Sequence, residues 1–252
     1  MKNFRIEKDT LGNVKVPDDK YWGAQTQRSL ENFDIGFDKM PKELIFAFAI
    51  QKKAAAVSNV ALGNLSSRLG KQIIKVCDEI ISGKLNDQFP LSVWQTGSGT
   101  QTNMNLNEVI ANKANKNLGK KLGSYDPIHP NDHCNLGQSS NDSFPTAMHI
   151  SLVKIITETL EPQVLKFIQS IRKKEREFKN IVKIGRTHLQ DATPITLEQE
   201  FSAFAKQIEN SLKRIKSAKE ELFFLAQGGT AVGTGLNSSA KFVKGFIKAI
   251  QL

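Results

Sequence analysis

Residues 185–201 read GRTHLQDATPITLEQEF, a polar segment that leads directly into a long amphipathic helical pattern. We interpret the first half of the segment, which carries Thr187 and His188, as a polar loop. Thr196 and Gln199 have the spacing of a capping box, in which the two side chains accept backbone N–H groups at a helix start. Apolar residues then recur with near-heptad spacing, so the sequence predicts a helix of roughly 30 residues that packs in a long-helix bundle.

Two other segments are equally rich in small hydroxyl and amide residues, and each leads into a helical pattern. They are TGSGTQTNMN at residues 96–105 and HPNDHCNLGQSSND at residues 129–142. A helix start supplies unpaired backbone N–H groups and a positive dipole end, and glycine lets a ligand approach the backbone. Together the segments predict a site that holds a small polar anion through neutral donors. Taken singly, a glycine-rich turn or a plain N-cap explains each of them as well.

His188 is the best candidate for acid/base chemistry. It is flanked by Thr187, Gln190 and Asp191, and histidine titrates near neutral pH, as such chemistry requires. A structural role is the alternative for a lone histidine. The sequence contains no HExxH motif, no nucleophile elbow and no Cys/His pair, which argues against metallohydrolases and covalent hydrolases.

The composition is that of an ordinary soluble globular protein, with 39% hydrophobic and 24% charged residues. The net charge of +10 is spread along the chain, which argues against a nucleic-acid module. Cys77 and Cys134 are too few for a disulfide framework and are expected to be free thiols. The apolar run near residues 44–50 is short for a membrane span, and the first residues lack a signal region, so we expect a cytoplasmic protein.

The apolar periodicity predicts a mainly α fold. The first forty residues look irregular, and strands are expected to be few, with one near residues 181–184. Pro162 is expected to kink or break the helical pattern that follows Asn141. Further helices are predicted at about residues 41–63, 66–83 and 102–119.

These motifs, together with three further segments, give the chain a close resemblance to the fumarase/aspartase superfamily, and within it to the class II (iron-independent) fumarate hydratases. The three segments are RIEKDTLGNVKVP at residues 5–17, YWGAQTQRSLENF at residues 21–33 and GGTAVGTGLN at residues 228–237. The resemblance covers nearly the whole chain. An aspartate ammonia-lyase, the alternative within the superfamily, would more often read TGAGTST and QSTND.

The resemblance implies a small N-terminal lyase domain, residues 1–138, followed by the first part of a central helical-bundle domain, residues 139–252. Members of the family continue well beyond Leu252, through a loop with a proton-abstracting serine, the rest of the bundle and a C-terminal domain. We therefore expect this chain to be an N-terminal portion, with the bundle truncated. The family also implies a homotetramer in which each active site takes segments from three subunits.

The implied reaction is the reversible hydration of fumarate to (S)-malate, a step of the tricarboxylic acid cycle, with no cofactor and no metal. By resemblance His188 is the acid/base residue, and the substrate-binding residues are Ser98, Gly99, Thr100, Ser139, Ser140, Asn141 and Thr187. A second, non-catalytic dicarboxylate site is implied at His129, Pro130, Asn131 and Asp132. Asp126 stands where family members often carry a basic residue of that second site.

Two interpretations of different class remain open at this point. In the first, the chain is fumarase sequence that becomes active only when the rest of the polypeptide completes it. In the second, it is a non-catalytic helical oligomerisation fragment derived from a fumarase.

Overall fold

The computed structural model describes residues 3–250 and divides them into two compact units. The first unit holds the residues up to Ser151 together with those from Leu225 onward, and the second holds Leu152–Phe224. The division expected from the resemblance, between residues 138 and 139, stays a prediction. The described residues are mainly helical, which confirms the predicted fold class.

Eight α-helices and two hairpins make up the described part of the chain. In chain order they are β1 (Phe4–Asp9), β2 (Gly12–Pro17), α1 (Ala24–Asn32), α2 (Lys42–Ala61), α3 (Ser67–Ile81), α4 (Thr100–Asn117), α5 (Ser140–Ile155), α6 (Glu161–Glu177), β3 (Val182–Thr187), β4 (Gln190–Thr196), α7 (Leu197–Glu221) and α8 (Ala240–Ala249). Short helical turns also occur at Asn86–Gln88, Pro130–Cys134 and Ile156–Leu160.

The prediction of an irregular N-terminus was wrong, because residues 4–17 form an antiparallel hairpin and α1 follows it. The first strand, β1, reverses the usual pattern of burial, whereas β2 buries Val14 and Val16. Ile6 is exposed, whereas Glu7 is buried and its carboxylate accepts a hydrogen bond from the Ala24 N–H. Arg5 lies on the same face as Glu7 and donates to the backbone oxygens of Pro17, Lys20 and Trp22. Since charged residues occupy the inner face of β1, the hydrophobic pattern gave no signal for this strand.

The core of the first unit is built around α2, which packs against α3 and α8. Phe48, Ile73 and Leu106 are fully buried there, and Phe246 of α8 lies against Ala55. By length and composition alone, α2 could cross a membrane, since its 20 residues extend well past the short apolar run. However, 67% of its apolar window is buried within the structure, which is the environment of a core helix.

The segment quoted first is a β-hairpin rather than a polar loop. β3 pairs with β4 in antiparallel register from Val182↔Thr196 to Thr187↔Gln190, and His188 and Leu189 form the turn. The capping box of Thr196 and Gln199 is present as predicted. The helix that the capping box starts, α7, is 25 residues long and ends at Glu221. It is shorter than predicted, so the last of the regularly spaced apolar residues lie beyond its end.

The helical pattern after Asn141 continues past Pro162, so the predicted break is absent and a kink there stays a prediction. A π turn, Ile156–Leu160, separates α5 from α6. Pro162 then lies in the first turn of α6, directly after this π turn.

Candidate functional site

The start of α4 exposes a row of hydroxyl groups. Gly99 is the N-cap residue and has a left-handed backbone conformation, with φ of +69°. The Ser98 and Thr100 side chains on either side of it are exposed, and their hydroxyl oxygens lie 3.0 Å apart. Gln95 braces this turn, because its Oε1 accepts both the N–H and the hydroxyl of Thr102 at 3.0 Å.

The start of α5 is a second cap with donors at its surface. The Ser139 N–H donates to Asp142 Oδ1 at 2.9 Å, and Ser139 Oγ accepts the N–H of Asn141 at 3.3 Å. Asn141 is exposed, and its side chain donates to the Ala231 carbonyl at 2.7 Å. An N-cap role thus accounts for Ser139, while Ser140 and Asn141 do more than cap the helix.

The structure brings these two helix starts together within the first unit. Asn103, in the first turn of α4, donates from Nδ2 to Ser140 Oγ at 3.0 Å. Gly99 meets Phe144 of α5 so closely that an added Cβ would lie 2.2 Å from the Phe144 ring. Two adjacent helix N-termini lined with hydroxyl and amide groups suit a small anion, because both dipoles and several N–H donors favour negative charge.

The carboxylate of Asp142 holds the α5 start and the Gly228–Asn237 segment together, a role that the sequence did not reveal. It is buried, with an exposed fraction of 1%. Its donors, with their distances, are the backbone N–H of Ser139 (2.9 Å), Gly228 (3.0 Å) and Thr230 (2.9 Å), the Gln227 side chain (3.1 Å) and the Ser143 hydroxyl (3.2 Å). The available signal was its position three residues after the Ser139 cap.

Lys52, in the middle of α2, was also missed. Its ammonium group is buried and donates to Asn135 Oδ1 and to Gln138 Oε1, each at 3.0 Å. Burial removes water from the ammonium and lowers its pKa to about 7. The sequence gave little sign of this role, because Lys52 stands between the polar residues Gln51 and Lys53 of the same helix.

The residues of the implied second dicarboxylate site form one tight turn in the first unit. His129 Nδ1 accepts the N–H groups of Asn131 and Asp132, both at 3.3 Å, and Pro130 is buried. Asp126, in the position where a basic residue was expected, is paired with Lys120 at 3.7 Å between Nζ and Oδ2. A basic side chain therefore lies next to this position, although it comes from elsewhere in the sequence.

Thr187 and His188 belong to the second unit, which is described by itself. Both are exposed, and His188 lies at the tip of the β3–β4 hairpin. His188 and Leu189 have positive φ angles of 49° and 62°, the conformation of a two-residue hairpin turn. Such angles are uncommon for these residue types and tend to persist at functional sites.

The described residues contain no group of three or more His, Cys, Asp or Glu side chains that could hold a metal ion. Cys77 and Cys134 are free thiols, as predicted, and both are buried. Burial raises the pKa of both, to about 12 for Cys134, so neither is a reactive thiolate near neutral pH.

Comparison with known proteins gives a consistent family. A family model described as Lyase matches residues 12–252. The chain is 58% identical over 246 residues to "Fumarate hydratase class II 2" of Bradyrhizobium diazoefficiens, covering 98% of this chain and 52% of that protein. It is 60% identical over 235 residues to "Fumarate hydratase class II" of Helicobacter pylori, covering 93% of this chain and 51% of that protein.

The fold agrees with the sequence comparison. The crystal structure of a recombinant class II fumarase from Schistosoma mansoni superposes with a TM-score of 0.95 at 44% identity, covering 98% of this chain and 52% of that one. The chain spans about half the length of the curated relatives it matches. Since the family match extends over most of the sequence, the chain belongs to this lyase family, and the relatives it resembles are class II fumarate hydratases.

Proposed function

We propose that the chain is part of a fumarate hydratase that catalyses the reversible hydration of fumarate to (S)-malate, the tricarboxylic acid cycle reaction. The observation that carries the proposal is the pair of adjacent helix starts in the first unit, joined by the Asn103–Ser140 hydrogen bond. The names of the relatives supply the substrate. Fumarate is a small dianion, which is the kind of ligand that such a site favours.

The chemistry explains why neutral donors suit this reaction. In the malate direction, a proton is removed from the carbon next to a carboxylate, and that carboxylate gains a second negative charge as it becomes an aci-carboxylate. Fixed hydrogen-bond donors aimed at this charge stabilise the transition state more than the ground state. We assign the donor role to these side chains: Ser98, Thr100, Ser139, Ser140, Asn141 and Thr187.

His188 is the proposed acid/base residue for the hydroxyl group that leaves or the water that adds. Its support is its exposed position at the tip of the β3–β4 hairpin. The proposed homotetramer is the setting in which such a tip would meet a substrate site. The second unit also carries exposed apolar side chains, among them Leu165, Phe167 and Phe204, that a bundle of several copies would cover.

The test compares the 252-residue chain with a completed protein, in which the C-terminal half of the Bradyrhizobium relative is joined after Leu252. Fumarate absorbance is followed over time for both. We expect turnover in the completed protein and none in the chain alone, since the proton-abstracting serine implied by the resemblance is supplied only by the added half. Light scattering should give a tetramer for the completed protein. A completed protein that is folded but inactive on fumarate would contradict the proposal, and ammonia release from aspartate would point to the lyase alternative.

Replacing His188 tests the role of this residue. His188→Asn in the completed protein should lower kcat by about 10²–10⁴-fold, the usual contribution of a positioned acid/base group. His133→Asn is the matched control, because an Asn oxygen can accept the hydrogen bond that His133 Nδ1 accepts from the His129 N–H. Full activity of the His188 variant would refute the assignment.

A further inference from the structure

Lys52 is a buried cation that donates its hydrogen bonds to amide oxygens. Lys52 is 1% exposed, and its ammonium nitrogen lies 5.4 Å from the centre of the Phe48 ring. The next residue, Lys53, has a side chain that is 40% exposed and paired with Asp78 at the surface. Burying a charge without an ion-pair partner is costly, so a lysine at this position requires an explanation beyond packing.

The partners of Lys52 lead directly to the α5 start. Asn135 Oδ1, which accepts from Lys52, also accepts from Asn103 Nδ2 at 3.2 Å, and the same Asn103 amide donates to Ser140 Oγ. Gln138, the other partner of Lys52, immediately precedes Ser139. Lys52 therefore holds both ends of the turn that presents the proposed substrate-binding residues.

We propose that Lys52 is a positioning residue and a buried counter-charge for dicarboxylate binding at Ser139–Asn141. The inference rests on the proposed function. Lys52 acts through Asn135, Asn103 and Gln138, which orient the donors. Its positive charge, in a region of low dielectric, also lowers the energy of a dianion bound above the turn.

The charge environment of Lys52 supports this role. The ionisable groups that act on it electrostatically are Asp142, Cys77 and Cys134. Both thiols are neutral near pH 7 because burial raises their pKa values. The Asp142 carboxylate accepts five hydrogen bonds from other groups, so it is stabilised without a hydrogen bond from Lys52.

The lowered pKa of Lys52, about 7, makes the interaction measurable. A bound dianion favours the ammonium form, and by linkage the ammonium form favours the dianion. Protonated Lys52 is lost as the pH rises through its pKa. The affinity for fumarate should therefore be highest below about pH 7 and should fall above it.

The experiment measures KM and kcat for fumarate in the completed protein and in two variants. Lys52→Met keeps the length of the side chain and removes the charge, and Lys53→Met is the matched control on the same helix. We expect Lys52→Met to raise the KM for fumarate by about tenfold or more, since the substitution removes a binding interaction. The increase of KM above neutral pH should also be smaller in this variant than in the unaltered protein. Lys53→Met should leave both constants and the pH profile unchanged.

Two results would overturn the inference while leaving the proposed function intact. One is a folded Lys52→Met variant that keeps the KM and the pH profile of the unaltered protein. The second result is a KM of the unaltered protein that stays constant from about pH 6 to about pH 9. This result would exclude the effect of the Lys52 charge even if Lys52→Met does not fold. If the unaltered completed protein does not hydrate fumarate at all, the proposed function fails and the role of Lys52 falls with it.

Discussion

Gly99 offers the sharpest test of how the two helix starts fit together. Its backbone has a φ of +69°, which an L-residue with a Cβ adopts only at a cost of about 1–2 kcal/mol. An alanine Cβ would also lie 2.2 Å from Cγ and 2.3 Å from Cδ2 of the Phe144 ring. These distances are far below van der Waals contact, so the ring or the turn must move.

The two costs set the expected size of the effect. Overpacking against a ring that is itself part of the core costs about 1–3 kcal/mol, and the smaller entropy of the unfolded alanine chain returns less than about 1 kcal/mol. We therefore expect Gly99→Ala to lower the free energy of unfolding of the 252-residue chain by about 2–4 kcal/mol. In the completed protein it should also raise KM, because Ser98 and Thr100 move with the turn.

Gly97 provides a control two residues away in the same turn. It lacks a positive φ, and an added Cβ would meet nothing within 4 Å. Gly97→Ala should therefore change the stability by less than about 1 kcal/mol. Urea denaturation followed by far-UV circular dichroism gives both values. Equal stabilities for the two variants would show that the α4 and α5 starts are not packed as described.

Three further predictions concern buried or donor groups of the first unit. Asp142→Asn should lower the free energy of unfolding by about 2–4 kcal/mol in urea denaturation, because the new NH₂ group must face an N–H donor. Asp132→Asn, at an exposed position, should change the free energy of unfolding very little. Burial raises the pKa of Glu108 from 4.5 to about 7, so the native state binds the proton more tightly than the unfolded state does. The free energy of unfolding should therefore fall as the pH rises between these two values. Urea titrations at several pH values should show this fall, and Glu108→Gln should abolish it. Thr100→Ala should weaken substrate binding by about 1–3 kcal/mol, measured as KM in the completed protein.

The helices were predictable because their apolar residues repeat along one face. α3 follows this rule, with Ile73, Cys77 and Ile80 buried in one stripe and Ser66 accepting the N–H of Leu69 as its cap. The capping box of α7 was equally local. In both cases the decisive residues lie within a few positions of one another, so a single sequence contains the whole signal.

The hairpins and the buried polar groups were not predictable in this way. The inner face of β1 carries Arg5 and Glu7, whose burial makes sense only with the partners that they find elsewhere in the first unit. Lys52 reaches Asn135 across 83 positions of the chain. Roles of this kind depend on long-range pairing, so the hydroxyl-rich motifs could be seen in the sequence while the buried residues that support them could not.

The five donors of Asp142 also determine when this part of the protein can be completed during synthesis. Two of them, Ser139 and Ser143, lie within three residues of Asp142, whereas Gly228 follows 86 residues after it and Thr230 follows 88 residues after it. On the ribosome, the buried carboxylate must therefore wait for these amides while the whole segment Leu152–Phe224 is made. At translation rates of about 5–20 residues per second, that interval lasts several seconds, during which the α5 start is held by its local cap and by the hydrogen bond from Asn103 of α4, which is made earlier.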